Sequence, residues 1–205
     1  MIKTHMSRTF AGAAIAAALV VTSALAQQKT VRVVGTIVGV DGPTIVVKPQ
    51  GKGDEQRVTL TDKAAVYGVV RATLADVKPG AFIGVGAMPQ ADGSQKAIRV
   101  MIFAEEQRGT GEGHRPWNRP GSTMTNATVD TTVAGVDGQV LRVQYKGGEQ
   151  RIIIGPDATI LAYLVGDRSE LKPGANIAIN AAEQKPDGSL AASRINVGRG
   201  DVQPD

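Results

Sequence analysis

Hydrophobic and polar residues alternate along short segments of this chain, and turn residues separate the segments. In the segment 44–48 the alternation puts Ile45 and Val47 on one face, and in 55–60 it does the same for Val58 and Leu60. A two-residue period predicts β-strands with one buried face. Between the segments stand Asp-Gly and Lys-Pro-Gly sequences, which favour tight reversals of the chain. The pattern therefore predicts an all-β protein built from short strands.

Four segments of this pattern occur twice, in the same order and 94 to 96 positions apart. The pairs are 39–42 and 135–138, 53–60 and 147–154, 75–85 and 169–179, and 92–100 and 187–195. A nearly constant offset indicates a duplication. Each copy has five or six strands and one expected helical turn, at 71–77 and at 166–172, where Asp167 or Ser169 would cap the turn. The copies predict two tandem OB-like small β-barrels joined by a Gly/Pro-rich strap, with a β-sandwich as the alternative.

The N-terminal segment has the pattern of a secretory signal peptide. Lys3 and Arg8 precede an apolar run at 10–21, and Ala-Leu-Ala follows at 24–26. We expect cleavage after Ala26 and a mature chain that starts at Gln27, in the periplasm or secreted. The apolar run is shorter than the ~20 residues that a membrane span needs, so no span is expected in the mature chain. The predicted boundaries are 27–103 for barrel one, 104–127 for the connector, 128–199 for barrel two and 200–205 for a tail.

Both copies resemble the bacterial "domain of unknown function 5666" family. The resemblance rests on turn residues. In copy one these are Gly35, Asp41, Gly42, Val77, Lys78, Pro79, Gly80, Asp92, Gly93 and Ala97; in copy two they are Asp137, Gly138, Leu171, Lys172, Pro173, Gly174, Asp187, Gly188 and Ala192. It covers the two barrels and not the connector, and copy two has Thr131 near the position of Gly35. The resemblance implies small barrels of envelope proteins and no activity.

Composition argues against most catalytic chemistry. The chain has no Cys, and His114 is the only His beyond the predicted signal peptide, which leaves no recognisable thiol site or Ser-His-Asp triad. We expect no enzyme and no catalytic residues. Removing Lys3 and Arg8 leaves 21 basic and 19 acidic residues, a balance that does not favour nucleic acid as a partner. The aromatic residues are spread along the chain, so no stacking surface is expected on a strand, and Tyr67 and Tyr163 are predicted to pack in cores.

The connector contains a candidate metal site. Glu112, His114 and Met124 offer a carboxylate, an imidazole and a thioether. Such a set suits a weak copper-type site, whereas tight structural zinc usually takes several His or Cys ligands. A periplasmic metal-binding protein is therefore one alternative function, and no other cofactor is expected.

The connector also contains the only Trp of the chain. Arg115 and Arg119 flank Trp117, which suggests an anionic-glycan site with a stacking surface and two cations. In the other interpretation Trp117 fills the seam between the barrels, and the arginines pair with Glu105, Glu106 or Glu112. A ~24-residue connection is long for a compact protein and is expected to be ordered. The leading prediction is a non-catalytic binding or scaffold protein whose partner is an unknown envelope protein or glycan.

Overall fold

A computed structural model describes residues 29–135 and 138–204 of the chain. The predicted signal peptide, its cleavage after Ala26 and the turn residue Asp137 lie outside the described residues. Within them the fold is all-β, as predicted, and contains a closed five-stranded barrel. The twelve strands are β1 Thr30–Asp41, β2 Thr44–Pro49, β3 Gln56–Arg71, β4 Phe82–Pro89, β5 Gln95–Ile102, β6 Gly113–Pro116, β7 Thr123–Gly135, β8 Gly138–Tyr145, β9 Gly148–Ile154, β10 Thr159–Val165, β11 Asn176–Gln184 and β12 Leu190–Gly198.

Short 3₁₀ helices are the only helical elements of the described residues. They are Leu74–Asp76, Glu105–Gln107 and Arg168–Glu170. The first and third lie at the two predicted helical turns. Asp167 caps the third one, because its carboxylate accepts a hydrogen bond from the Ser169 N–H at 2.7 Å. None of the described helices is long and apolar enough to cross a membrane.

The closed barrel, called here the first barrel, combines strands from both copies of the repeat. β1, β2 and β3 pair in succession, and β11 pairs with both β1 and β12. A parallel ladder between β12 and β3, running from Leu190–Val58 to Gly198–Val69, closes the circuit. The first three strands therefore come from copy one and the last two from copy two.

The remaining core strands form a second circuit with the same connectivity. β7, β8 and β9 pair in succession, β4 lies between β7 and β5, and β5 meets β9 through a short parallel ladder. Here copy two provides the first three strands and copy one the last two. The predicted tandem arrangement, in which 27–103 and 128–199 each close their own barrel, differs from this pairing. The physical reason is that the end of β3, residues 67–71, pairs with β10, which borders β5 of the second circuit, so the chain enters β4 on that circuit.

β10 joins the two circuits. It is antiparallel to β3, from Leu161–Arg71 to Val165–Tyr67, and parallel to β5. At the centre of the antiparallel ladder Val69 pairs with Tyr163, and these residues are 94 positions apart, the offset of the neighbouring repeat segments. A pseudo-twofold axis therefore passes through this pair. The hydrogen-bonded sheet is therefore continuous across the axis, and the two circuits are not separate domains.

Alternation along the strands separates two interiors from an outer surface. Ile45, Val47, Val58 and Leu60 are buried inside the first barrel, as their pattern predicted. The second circuit encloses an equivalent cluster of buried residues: Val77, Ile83, Val85, Ala87, Ala97, Val100, Ala127, Val129, Leu141, Val143, Ile152 and Ile154. The outward-facing residues of the same strands are then free to line a surface where the two circuits meet. In the predicted tail, Val202 is buried against Val69, Met101 and Leu161.

Candidate functional site

A cavity of about 460 Å³ lies where the outer faces of the two circuits meet beside β10. On β5 the inward residues Val100 and Ile102 belong to the interior of the second circuit, whereas Arg99 and Met101 line the cavity. The segment 104–122, called here the strap, covers one side and contributes Thr110, Gly111 and Trp117 among others. The size is within the range of ligand pockets in proteins.

Four arginines line this cavity, and each comes from a different strand. They are Arg32 on β1, Arg99 on β5, Arg115 on β6 and Arg194 on β12. None of the described residues that line it is Asp or Glu. A wall whose described residues include several guanidinium groups and no carboxylate favours an anionic ligand.

Two of these arginines are repeat equivalents. Arg99 and Arg194 occupy the same place in the segments 92–100 and 187–195. Arg99 pairs with Thr159 on β10, and Arg194 pairs with Ala65 on β3, in equivalent parallel ladders. The pseudo-twofold axis thus places one guanidinium on each side of the β3–β10 pair.

Tyr163 lies at the centre of the cavity wall, on the pseudo-twofold axis. Burial raises the pKa of its hydroxyl, while Arg194, Arg99 and Arg32 act in the opposite direction. Burial, together with the like charge of Arg119, lowers the pKa of Arg99. These interactions put the neutral Tyr163 hydroxyl, a hydrogen-bond donor, among three guanidinium groups.

Aromatic side chains that are distant in sequence form a continuous row behind this wall. Phe82 contacts Phe103 at 5.3 Å between ring centroids, Phe103 contacts Tyr163 at 5.6 Å, and Tyr163 contacts Tyr67 at 6.2 Å. Arg194 stacks over Tyr67 at 5.4 Å. Tyr67 is buried as predicted, but Tyr163 is half-buried and lines the cavity. No single strand carries a stacking surface by itself, but strand register brings aromatic and basic residues of several strands together.

Two glycines on β4 make room for aromatic rings on the outer face. A Cβ atom at Gly86 would overlap the indole ring of Trp117, and one at Gly84 would lie 2.9 Å from the Phe103 ring. Both glycines line the cavity. Their missing side chains let the rings approach the backbone of the sheet closely.

The strap is ordered and folds back as a hairpin onto β4. β6 pairs with the start of β7, from Gly113–Asn126 to Pro116–Thr123, and β7 in turn pairs with β4. The Trp117 N–H donates to the Ser122 carbonyl at 3.0 Å, which closes the hairpin loop. The predicted connector 104–127 thus ends within β7, whose first residues form part of the sheet.

The three connector residues predicted to bind an anionic ligand lie together. Arg115 and Trp117 both line the cavity, and the Arg119 guanidinium stacks over the Trp117 ring at 5.5 Å. Arg115 also donates to the Gly111 carbonyl at 2.8 Å. Trp117 is half-buried with one face on Gly86, so it contacts the second circuit and lines the cavity at the same time.

The alternative ion pairs of these arginines are absent from the described residues. Glu105 instead binds Arg108, with two hydrogen bonds of 2.5 and 2.7 Å. Glu112 accepts a hydrogen bond from the Lys146 N–H at 3.0 Å. The expectation that Arg115 and Arg119 pair with Glu105, Glu106 or Glu112 is therefore wrong, because Arg108 and the Lys146 backbone N–H already engage two of these carboxylates.

The candidate metal ligands are divided between two faces of the strap hairpin. His114 pairs with Thr125 and Arg115 with Met124, so His114 and Met124 point to opposite faces. The His114 Nδ1 atom is 2.8 Å from the Thr125 hydroxyl, and its ring stacks on Tyr145 at 6.4 Å. Glu112 lies on the His114 side, next to Lys146, while Met124 lines the cavity. Among described residues, no group of three or more His, Cys, Asp or Glu is placed to hold a metal ion.

Arg32, Arg99 and Arg194 are site residues that no sequence pattern indicated, and Tyr163 was predicted to pack in a core rather than to line a site. Each is an isolated outward position on a strand, a pattern typical of a solvated surface. The one available signal was the repeat of an arginine at 99 and 194, at the same place in two corresponding strand segments.

Comparisons of the chain with protein-family models, with curated proteins and with solved structures give no match. The resemblance of the repeats to the bacterial "domain of unknown function 5666" family therefore stays a prediction from turn residues.

Proposed function

We propose that this protein is a non-catalytic binding protein of the periplasm or the cell exterior, and that its ligand is an anionic glycan held in the cavity between the two circuits. One observation carries the proposal: four arginines and three aromatic residues line a single cavity to which no described acidic residue contributes. The predicted signal peptide supports the location.

The chemistry of the wall supports a saccharide with acidic groups. Guanidinium groups form paired hydrogen bonds with carboxylate, sulfate or phosphate oxygens. Trp117 provides an aromatic surface, and the Asn118 and Asn126 amides provide hydrogen-bonding groups for hydroxyls. A volume of about 460 Å³ suits a mono- or disaccharide.

The lining also supports binding rather than catalysis. Its polar side chains are those of Arg, Asn, Thr and Tyr. Among its described residues Tyr163 is the one proton donor of the acid-base type, and burial raises the pKa of that hydroxyl away from neutrality. The described lining therefore presents hydrogen-bond donors to a ligand and offers no pair of groups for acid-base chemistry.

The finer fold assignment belongs to the same proposal. We infer that the first barrel and the second circuit are two OB-like barrels. Each is completed by the last two strands of the other copy, β11 and β12 in the first barrel and β4 and β5 in the second circuit. The order β1-β2-β3-β12-β11 and its parallel closure support this. OB-folds usually bind along strands 2 and 3, whereas this cavity uses outward residues of β1, β4, β5 and β12.

Isothermal titration calorimetry of the mature protein tests the proposal. The probes are a sulfated, uronate-containing disaccharide and its neutral, desulfated and carboxyl-reduced counterpart. We expect saturable binding of the anionic disaccharide that weakens with salt, and no measurable binding of the neutral one. Equal binding of both, or of neither, would reject an anionic-glycan site and leave a protein partner as the better account.

Trp117→Ala and His114→Ala separate the alternatives. Loss of glycan binding in Trp117→Ala with retention in His114→Ala supports the proposed site. A Cu²⁺ titration that gives binding in the wild type and none in His114→Ala would favour the metal function instead.

A further inference from the structure

The Asn126 side chain is held in one orientation in the cavity wall. It lies on β7 and is only 5% exposed. Its Nδ2 atom donates a hydrogen bond to the Thr110 carbonyl at 2.9 Å. This bond distinguishes the two ends of the amide, because only the nitrogen donates. No group among the described residues donates to the Asn126 Oδ1 atom in return, so a buried acceptor is available to a ligand.

The Oδ1 atom of Asn126 lies over a glycine floor. Asn126 pairs with Gly84 on β4 and with Gly113 on β6, so neither neighbouring strand has a side chain beside it at this level. A Cβ atom at Gly84 would lie 2.9 Å from this oxygen and 2.9 Å from the Phe103 ring. Gly84, Phe103 and Asn126 all line the cavity. The acceptor therefore lies next to an aromatic ring on the cavity floor.

An apolar patch adjoins this acceptor along β7. Met124 lies two residues before Asn126 and points to the same face of the strand. It pairs with Gly86, over which the Trp117 ring is placed. Met124 and Trp117 are half-buried, and both line the cavity. Two residues of a strand span about 7 Å, so one small substituent can contact both the acceptor and the patch.

We infer that Asn126, Met124 and Trp117, called here the acetamido subsite, bind an acetamido group of the saccharide. The amide N–H of that group donates to the Asn126 Oδ1 atom, and its methyl group contacts Met124 and the Trp117 ring. The inference rests on the proposed function and names a substituent of its ligand.

The other common substituents of saccharides fit this subsite less well. A carboxylate would place its oxygens against the Asn126 oxygen, and acceptor would face acceptor. An ammonium group donates, but it is repelled by Arg115, the neighbour of Met124 on β6. A hydroxyl donates to the oxygen and leaves the apolar patch in contact with water. The acetamido group alone among these offers a neutral donor together with an apolar end.

A series of three sulfated monosaccharides tests the inference by calorimetry on the mature protein. N-acetylglucosamine 6-sulfate, glucose 6-sulfate and 2-deoxyglucose 6-sulfate share a ring and a charge and differ at carbon 2. The first has donor and methyl group, the second has a donor only, and the third has neither. We expect the acetamido ester to bind about fivefold or more tightly than glucose 6-sulfate, and the deoxy ester to bind about threefold or more weakly than glucose 6-sulfate.

Two other outcomes separate the inference from the proposed function. If glucose 6-sulfate binds as tightly as the acetamido ester, or more tightly, the inference is overturned and the anionic-glycan function stands. If none of the three esters binds, both are overturned.

Variants place each difference on one residue. Met124→Ala should bring the affinity ratio of the acetamido ester to glucose 6-sulfate close to one. Asn126→Ala should remove the difference between glucose 6-sulfate and the deoxy ester. Because Asn126 also holds Thr110, a general disturbance of the strap would weaken all three esters alike, and only a changed ratio reports recognition.

Arg115→Gln is the matched control in the same wall. It should weaken all three esters by a similar factor and preserve both ratios, since the three probes carry the same charge. Ratios that stay at their wild-type values in folded Met124→Ala and Asn126→Ala proteins would contradict the assignment of the acetamido subsite.

Discussion

The two sides of the cavity have different origins. The sheet side is built from the repeats, so Arg99 and Arg194 occur as equivalents on either side of the axis at Val69 and Tyr163. The strap side occurs once, between the copies, and brings Arg115 and the only Trp of the chain. The comparison suggests that duplication supplied a symmetric, cationic wall and that the unrepeated strap made the cavity asymmetric. Recognition of the ligand's charge is then expected to depend mainly on the sheet side, and recognition of its shape mainly on the strap side.

Removing both sheet-side arginines should have the largest effect on binding. A hydrogen bond to a charged group contributes about 1.5–3 kcal/mol, so Arg99→Gln with Arg194→Gln should lower affinity for glucose 6-sulfate by roughly 100-fold or more. Calorimetry measures the change. Arg57→Gln is the matched control, because this exposed arginine pairs with Asp41 outside the cavity and its loss should leave affinity unchanged.

Truncating the strap tryptophan should affect stability and binding together. Trp117 is half-buried, so Trp117→Ala should cost about 1–2 kcal/mol, less than the ~3–5 kcal/mol of a fully buried tryptophan. The expected fall in melting temperature is roughly 2–8 °C. Gly86→Ala should act similarly, since a Cβ there would displace the ring. An unchanged melting temperature in both variants would show that the strap does not stabilise the fold.

The two strap arginines should differ from one another. Arg115 lines the cavity but is exposed, so Arg115→Gln should lower anion affinity about three- to tenfold. Arg119 stacks over Trp117 and does not line the cavity, so Arg119→Gln should change affinity less than about threefold. A larger effect for Arg119→Gln would mean that its guanidinium enters the cavity with the ligand.

The smallest expected effect concerns an ion pair that only one copy contains. Arg199 donates to both Glu170 carboxylate oxygens at 2.8 and 2.9 Å, whereas the equivalent positions in copy one are Ala104 and Asp76. The hydrogen bonds from Arg199 lower the pKa of Glu170 in the folded protein. The stabilisation, at most about 1 kcal/mol for such an accessible pair, is therefore complete above the unfolded pKa of about 4.3 and is lost as pH falls through the folded pKa.

Thermal unfolding across pH checks this sign. Glu170→Gln should melt below the wild type at pH 7, and the difference should shrink as the pH falls below about 4. The exposed Glu55 serves as a control position, where Glu55→Gln should leave the melting temperature close to that of the wild type. A difference that grows on acidification would contradict the role of the ion pair.

Local structure was predictable from the sequence because local forces determine it. Alternation identified Ile45, Val47, Val58 and Leu60 as interior residues, and Asp167 was one of the two candidate caps of its short turn. Alternation states which face of a strand is buried, but not which copy provides the neighbouring strand. With two similar copies in one chain, pairing within a copy and pairing between copies satisfy the same pattern, so the exchange of strands was not predictable.

The candidate site also has a part that the sequence indicated and a part that it did not. Arg115 and Trp117 stood out because rare residue types cluster in an unrepeated connector. Arg32, Tyr163 and Arg194 are far apart in sequence, and only the register of β1, β10 and β12 brings them to one cavity. Long-range strand pairing therefore determines the half of the site that carries most of the charge.

Fluorescence of Trp117, the only tryptophan, tests the central claim most directly because its ring lines the cavity. Glucose 6-sulfate is titrated into the wild type and into the Arg99→Gln, Arg194→Gln double variant at low salt. If the sheet and the strap share one anion-binding cavity, Trp117 fluorescence changes saturably in the wild type, and this change disappears in the folded double variant. A titration that is the same in both proteins, or flat in the wild type, would contradict it.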